Sequence, residues 1–481
     1  GYNLDTNLIE KMKKDKAELI DQITPETISA AYARISRDSR SVDELREIAV
    51  SHVDKARKSN NNIIFDMGHS SIAEHSIFNF DIIGISRLAI EELEHFRLAS
   101  YTEKSQRYIK LDNDYNIPNE ITSEADVEKF KDIINLQNNF YHEIYIKLKD
   151  FLFQQNLSEN DTNKNLFDGF AKEDSRYISS LATKGQLGMT LNARTLELMI
   201  KRFFNAKTLE VKELGKTLYD KAINVVPSLI RYVDEYCNKK FDFDNFYENM
   251  SYEQASNYST EEVKLLDFNK DADDLVLASI LFANKSNSSK NFDFETIFKY
   301  IKSLKFSKKE SIIKDVFKNM KFYDAPQREF EYLDFMFELK ISGACFGQLK
   351  RHRMMTMTKQ NYDIELGIKI PENIEKIGYK NKFLQIIEKT NEIYLQFKKK
   401  YGINVAEYVL TNSHMRKILI KINARSLYNM SRIREDKHAQ WDIRELCSKI
   451  LQETKKVAPL TMILACGKDK FLEIYNKLYD L

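Results

Sequence analysis

Two stretches of the 481-residue chain recur in the same order, and this internal repetition constrains the fold more than any other feature. FNFDIIGISRLAIEELEHFRLASYTEKSQRY (78–108) matches FMFELKISGACFGQLKRHRMMTMTKQNYD (335–363), and LNARTLELMIKRF (191–203) matches INARSLYNMSRIR (422–434). The spacing from Arg97 to Asn192 exceeds that from Arg353 to Asn423, which places an insertion in the first half, within 112–165. The repetition predicts two homologous domains, 1–240 and 270–481, joined by a polar, Asn/Asp/Tyr-rich linker over 241–269.

Periodicity fills in each half. SIFNFDI and FMFELKI alternate as strands do, and 86–97 and 342–353 read as helices following them. RYIKL after Gln106 reads as a strand re-entry. The stretch from Asn423 to Lys456 reads as a long amphipathic helix broken near Glu435–Lys437. Gly (13) and Pro (6) are scarce, which favours long helices over turn-rich β architecture. The fold class expected is α+β, each domain a small mixed or antiparallel sheet packed with long helices.

Charge narrows the function classes. Lys and Arg number 74 against 72 Asp and Glu, for a net charge of +2, which argues against a general nucleic-acid binder while leaving room for a local basic pocket. No run of eighteen apolar residues exists, so no membrane span is expected. GYNLDTNLIEKMKKDK lacks the apolar core of a signal peptide, and Gly1 in place of Met reads as a remnant of expression. Cys237, Cys345, Cys447 and Cys466 show no zinc-ligand spacing. A reducing, cytoplasmic setting is the expectation.

Four segments carry chemistry. Arg351, His352 and Arg353 stand together at a helix end, where guanidinium forks suit phosphate or a flavin edge. HFRLASYTEKSQRY brings hydroxyls and an Arg into a loop able to cradle a phosphate dianion. GHSSIAEH (68–75) offers His69, Ser71, Glu74 and His75, without the spacing of a zinc site. NARSLYNMSRIREDKHAQWD crowds Asn423, Arg425, Asn429, Arg432, Arg434, His438 and Gln440 into one stretch, with Arg425, Asn429 and Arg432 near one helical face. Such a face fits an anionic ligand or a network of ion pairs between helices.

Taken together, these segments resemble the flavin-dependent thymidylate synthases, the ThyX family, whose signature is RHRxxSxNxxSxR. The first half reads HFRLASYTEKSQR there and the second RHRMMTMTKQNYD. The chain looks like a tandem fusion of two such domains, each degenerate in a different way. In the family, dUMP lies between subunits. The resemblance gives the first half the phosphate set Glu103, Ser105, Gln106, Arg107 and Arg176, while Glu92, His95 and Phe203 stand where the family has Gln, Arg and a uracil-polarising Arg. The second half keeps Gln348, Arg351 and Arg434 but carries Lys359, Asn361, Asp363 and Glu407 at the phosphate positions. Each half thus holds what the other lacks. The expectation is a composite pocket, one per chain, in a homodimer that imitates the family's homotetramer, since the opposite pairing would set Asp363 and Glu407 against a phosphate.

For FAD the resemblance implicates His69, Ser71, Glu103, Arg351, His352, Arg353, Asn423, Arg425, Asn429 and His438. Pro326 and Arg328 replace the His/Ser pair in the second half, Phe96 and Leu198 depart in the first, and Asn192/Arg194 repeats Asn423/Arg425. The implied reaction methylates dUMP to dTMP with methylenetetrahydrofolate, FAD and NADPH, no enzymic cysteine attacking the base. Arg434 is the expected catalytic residue, polarising the uracil. Two other readings stay open. One is a related flavin-dependent reaction on a pyrimidine nucleotide, such as hydroxymethyl transfer, for which Thr102 and Phe96 leave room. The other is a non-catalytic flavin- or nucleotide-binding protein.

Overall fold

The computed structural model describes residues 1–155, 164–233, 261–284 and 291–480. Packing groups the chain into two compact units, Gly1–Ala255 with Lys376–Leu410, and Ser256–Glu375 with Thr411–Leu481. Sequence repetition and packing therefore divide the chain differently, because 376–410 belongs to the second repeat but packs in the first unit.

The first unit is built on three antiparallel strands, β1 (Ile77–Ser86), β2 (Ala99–Glu103) and β3 (Lys184–Asn192), in the order β1-β3-β2. Alternation buries Phe78 and Ile82 of β1 with Leu187, Met189 and Leu191 of β3. The helix Ala193–Phe204 lays Leu196, Met199, Ile200 and Phe203 into the same core. Gly84, at φ 80°, sits where the β1–β3 register shifts between Ile83 and Ile85, a left-handed conformation a side chain would strain.

In the second unit β4 (Val263–Phe268), β5 (Asp334–Ser342), β6 (Thr356–Lys359) and β7 (Met415–Asn423) lie in the order β4-β5-β7-β6, all antiparallel. Phe335, Phe337, Leu339 and Ile341 of β5 are buried with Ile418, Ile420 and Ile422 of β7. The helices Ala424–Arg434 and Trp441–Val457 cover this core.

The two sheets share one register. Ile77 faces Asn192 as Asp334 faces Asn423, and Ser100 faces Thr190 as Thr356 faces Lys421. Their helix starts are capped alike. Ser86 and Ser342 accept from the N–H groups of Ala89 and Cys345, and Asn192 and Asn423 from those of Thr195 and Ser426. Each serine is in turn tied to a carboxylate, Ser86 to Glu210 and Ser342 to Asp442, both at 2.6 Å.

Several expectations need correction. RYIKL is not a strand. The strand comes earlier, as β2 within the segment read as a loop, and the chain then turns at Ser105, where the Ile109 N–H reaches the Ser105 carbonyl at 3.2 Å. Tyr108 and Ile109 are exposed, so no burial supports an extended pairing. The helices read over 86–97 and 342–353 are confined to Arg87–Leu93 and Gly343–Leu349. VKLLDF, read as the end of the linker, is strand β4, because Val263 and Leu265 pack on the second core; 241–260 lie outside the described residues. The inserted length sits largely in longer helices. Glu124–Gln155 (32 residues) and Lys164–Ser175 (12) correspond to Lys380–Tyr401 (22) and Ile403–Ala406 (4). Among the described residues no helix is long and apolar enough to cross a membrane.

Candidate active site

In the first unit the turn after β2 closes a cavity of about 130 Å³, lined by Arg87, Glu103, Ser105, Gln106, Lys184 and Gly185 among others. Three of the residues assigned to the phosphate, Glu103, Ser105 and Gln106, line it. Ser105 holds the turn by accepting from the Arg107 N–H at 3.1 Å. The Arg107 guanidinium is paired with Glu173, which lies one helical turn before Arg176. Arg176 is 4% exposed, and burial lowers its pKa from the ordinary arginine value; Arg87 and Arg107 push the same way, while Tyr177 and Glu173 oppose. Arg87, Arg107 and Arg176 therefore form one cationic group, interleaved with Glu103 and Glu173.

Arg87 and Glu173 were not legible as site residues. Arg87 sits beside the serine that caps its helix, and Glu173 is one turn from Arg176. Both spacings are common on helices and carry no signal alone. Gly185 has a local role too, because a Cβ there would meet the Ile90 Cδ1 at 2.5 Å.

His69 and Ser71 lie apart from that cavity, on a larger one of about 550 Å³ that also touches Tyr32, Arg37, Ile63 and His75. A π-helical turn, Asn61–Asp66, and a 3₁₀ turn, Ser70–His75, deliver them. Of the Asn-x-Arg pair in this half, Asn192 is spent as a helix cap and Arg194 is bound to Glu74 at 2.6 Å.

The second unit assembles a different set. Arg434, ending the helix Ala424–Arg434, donates from Nε to the Nε2 of His352 at 2.9 Å and from Nη1 to the Gln348 Oε1 at 3.4 Å. Gln348 passes its amide N–H to Gln440 at 3.1 Å. Burial, then the charges of Arg434 and Arg351, push the His352 pKa down to about 3. The imidazole is thus neutral at pH 7, its proton on Nδ1 and its Nε2 serving as acceptor. Arg353 flanks it, half-buried, and Arg351 is exposed.

Other members of the expected flavin set are used locally. Asn423 caps its helix, and Arg425 reaches the Pro326 carbonyl at 2.9 Å and Glu331 at 3.2 Å. Asn429 and His438 are exposed. Arg432 does not share a ligand face with Arg425 and Asn429. It turns inward, over the Phe471 ring at 4.3 Å, with Nη1 at 3.2 Å from the Cys466 Sγ. A residue on the same helical stripe has been drawn into the core by an aromatic partner.

The second unit's counterpart of the cavity after β2 can be read from the shared register. Lys359 takes the place of Glu103, Asn361 of Ser105, Asp363 of Arg107 and Arg416 of Gly185. Arg416 is buried, bonds through Nε to the Gln360 carbonyl at 2.8 Å, and lies over Tyr362 at 4.0 Å and Phe346 at 5.0 Å. Asp363 caps the next turn by accepting from the Glu365 N–H. An arginine therefore occupies the register position that Gly185 holds in the first unit. The buried cysteines Cys345, Cys447 and Cys466 are free thiols, and burial raises the pKa of Cys447 and Cys466. Among the described residues no cluster of His, Cys, Asp or Glu has the makings of a metal site.

The sequence model of the thymidylate synthase complementing proteins, Thy1, matches the chain twice, over residues 18–228 and 264–460. A UPF0159 protein of Thermoplasma acidophilum is 21% identical over 473 residues, which cover 89% of this chain and 93% of that protein. A flavin-dependent thymidylate synthase of Clostridium tetani is 30% identical over 216 residues, 44% of this chain and 84% of its own length. Another, from Sulfurisphaera tokodaii, is 32% identical over 171 residues, 35% of this chain and 59% of its own length. The repeated strand register, the arginine group after β2 and the Arg434–His352 contact thus occur in a chain that belongs to the family of thymidylate synthase complementing proteins.

Proposed function

We propose that the protein is a flavin-dependent thymidylate synthase that converts dUMP to dTMP with methylenetetrahydrofolate as carbon donor. The observation that carries this reading is the Arg434–His352–Gln348 chain. A guanidinium held by a neutral imidazole and an amide keeps its charge undiminished and its fork oriented, as polarising a uracil carbonyl requires. The arginine group of the first unit supplies the complementary need, a receptor for a phosphate dianion.

The residues present fit a flavin. The larger cavity combines apolar walls, Ile63 and Ile72, with donors from His69, Ser71 and Arg37, the mixture that an isoalloxazine edge or a ribityl chain takes. Arg351, His352 and Arg353, in the second unit, are further donors that the resemblance assigns to the same cofactor. Bound flavin supplies the hydride that completes the methyl group, replenished from NADPH. Everything else falls to the chain. Arg107 and Arg176 neutralise the nucleotide's phosphate, Ser105 and Gln106 offer it hydrogen bonds, and Gln348 and Arg434 orient and polarise the base so that C5 becomes nucleophilic. No thiol is required, in keeping with Cys447 and Cys466, whose burial raises their pKa values.

In this reading one nucleotide is bound per chain, and two chains associate as a homodimer. The test is spectral and chemical. Purified protein loaded with FAD should be bleached by NADPH and reoxidised only when methylenetetrahydrofolate and dUMP are both added, with dTMP appearing by chromatography. Reoxidation without dTMP, or a hydroxymethylated product, would overturn the assignment.

A further inference from the structure

The phosphate set recognised by resemblance omits the arginine that the fold fixes most firmly. Arg87 opens the helix Arg87–Leu93 and is buried. Its backbone N–H is bound to the Thr183 carbonyl at 3.1 Å. The residue before it, Ser86, is held by Glu210 through both backbone N–H (2.7 Å) and hydroxyl (2.6 Å). Glu210 is itself gripped by the Asn116 amide and the Tyr408 hydroxyl, each at 2.6 Å. The Arg87 side chain lines the cavity after β2, and its guanidinium stands 3.4 Å from the Glu103 carboxylate, each side chain only 5% exposed.

The charges around that cavity explain why such a pair is needed. Of the charged groups on its wall, Arg87 and Glu103 are the ones whose side chains are buried; Arg176 and Glu173, buried, and Arg107, half-buried, belong to the neighbouring cationic group. Lys104, Lys110, Lys184, Asp112 and Asp114 lie on its exposed rim, where water screens them. Replacing Arg87 by a neutral residue takes one positive charge from the wall beside the Glu103 carboxylate, where a dianion would approach. The second unit shows the pair dissolved. Gly343 stands at the Arg87 position and Lys359 at that of Glu103, and Arg416 fills the space instead.

We propose that Arg87 is a positioning residue of the nucleotide-phosphate site, holding Glu103 at the cavity wall and cancelling its charge, so that Arg107 and Arg176 meet the phosphate monoester of a pyrimidine nucleotide at full strength. This rests on the functional reading above and adds a residue to it.

The experiment compares the flavin-loaded full chain with Arg87→Met and Arg87→Lys, measuring calorimetric affinity for dUMP and for deoxyuridine, which lacks the phosphate. Arg87→Met should weaken dUMP binding about 10- to 100-fold, the range of one charge-assisted contact, and leave deoxyuridine within about threefold. Arg87→Lys should recover part of the loss. Equal loss for both ligands would make Arg87 merely structural and overturn the proposal, as would unchanged dUMP binding in Arg87→Met. If Arg87→Met fails to fold, the Lys variant decides by the same ratio. Should the wild-type chain itself bind no dUMP, the functional reading falls with it; wild-type binding unaltered in both variants removes Arg87 alone.

Discussion

Arg434 and His352 define each other: the Arg434 Nε–H donates to the His352 Nε2 at 2.9 Å, and the guanidinium's charge helps keep that imidazole unprotonated. A protonated ring would have no lone pair to offer and would face a like charge. Removing the guanidinium should therefore strike chemistry rather than assembly. Arg434→Ala is expected to lower dTMP formation by about 10²- to 10³-fold, the cost of one electrostatic donor in a transition state. Flavin absorbance should persist. Turnover near the wild-type rate would remove Arg434 from its catalytic role.

The same contact has a pH signature. The folded-state pKa of His352 lies near 3, below its ordinary 6.5, so on acidification the unfolded chain takes up a proton before the folded chain does. The contribution is intact above about pH 6.5, declines as pH falls, and flattens near pH 3. His352→Gln should remove that component. Urea midpoints of the wild type and the variant, compared from pH 7 to pH 4, should diverge least at the acid end. Parallel curves would show that His352 titrates normally. His414, buried with a pKa lowered to about 4, is common to both proteins and cancels in the comparison.

Nucleotide stoichiometry should be one dUMP per chain by calorimetry. Arg416, flanked by Tyr362 and Phe346, fills the second unit's counterpart of the phosphate cavity, and Asp363 faces outward where the first unit has Arg107. A measured value of two would mean that this guanidinium yields to ligand.

Gly185 should tolerate no side chain. An added Cβ would meet the buried Ile90 at 2.5 Å, so Gly185→Ala should cost roughly 1–3 kcal/mol by overpacking and raise the KM for dUMP by narrowing the cavity. Thermal unfolding and steady-state kinetics together check this; an unshifted Tm would show that Ile90 moves aside cheaply.

Glu173 restrains Arg107, and Glu173→Ala should free that guanidinium. KM for dUMP should rise several-fold with kcat little changed, because a mobile arginine loses orientation that the ordered pair had already paid for in entropy. A fall in kcat at constant KM would point to a different role.

How far the sequence could be read depended on whether a residue's partner was local. The alternation in FMFELKI identifies β5 without knowledge of its neighbours, since both faces of the strand repeat every second residue. The capping residues Asn192 and Asn423 were visible as a repeated Asn-x-Arg pair, but the N–H that each accepts from within its own helix start was not read from the pattern. RYIKL has strand composition, yet a turn closed by Ser105 and Ile109 overrides it. Arg432 has the spacing of a binding residue, and only the distant Phe471 and Cys466 reveal it as core. Arg87 escaped notice for the same reason, because Glu103 reaches it across the sheet rather than along the chain.

The stretch 376–410, encoded in the second repeat, completes the first unit's packing. Phe397 stacks on Phe130, Phe383 meets the edge of Phe140, and the Gln137 side-chain N–H groups donate to the Thr390 hydroxyl and the Val409 carbonyl. A chain cut back to residues 1–240 would keep the first sheet yet present a bare aromatic seam and a stranded amide, and should clump before any chemistry could be asked of it.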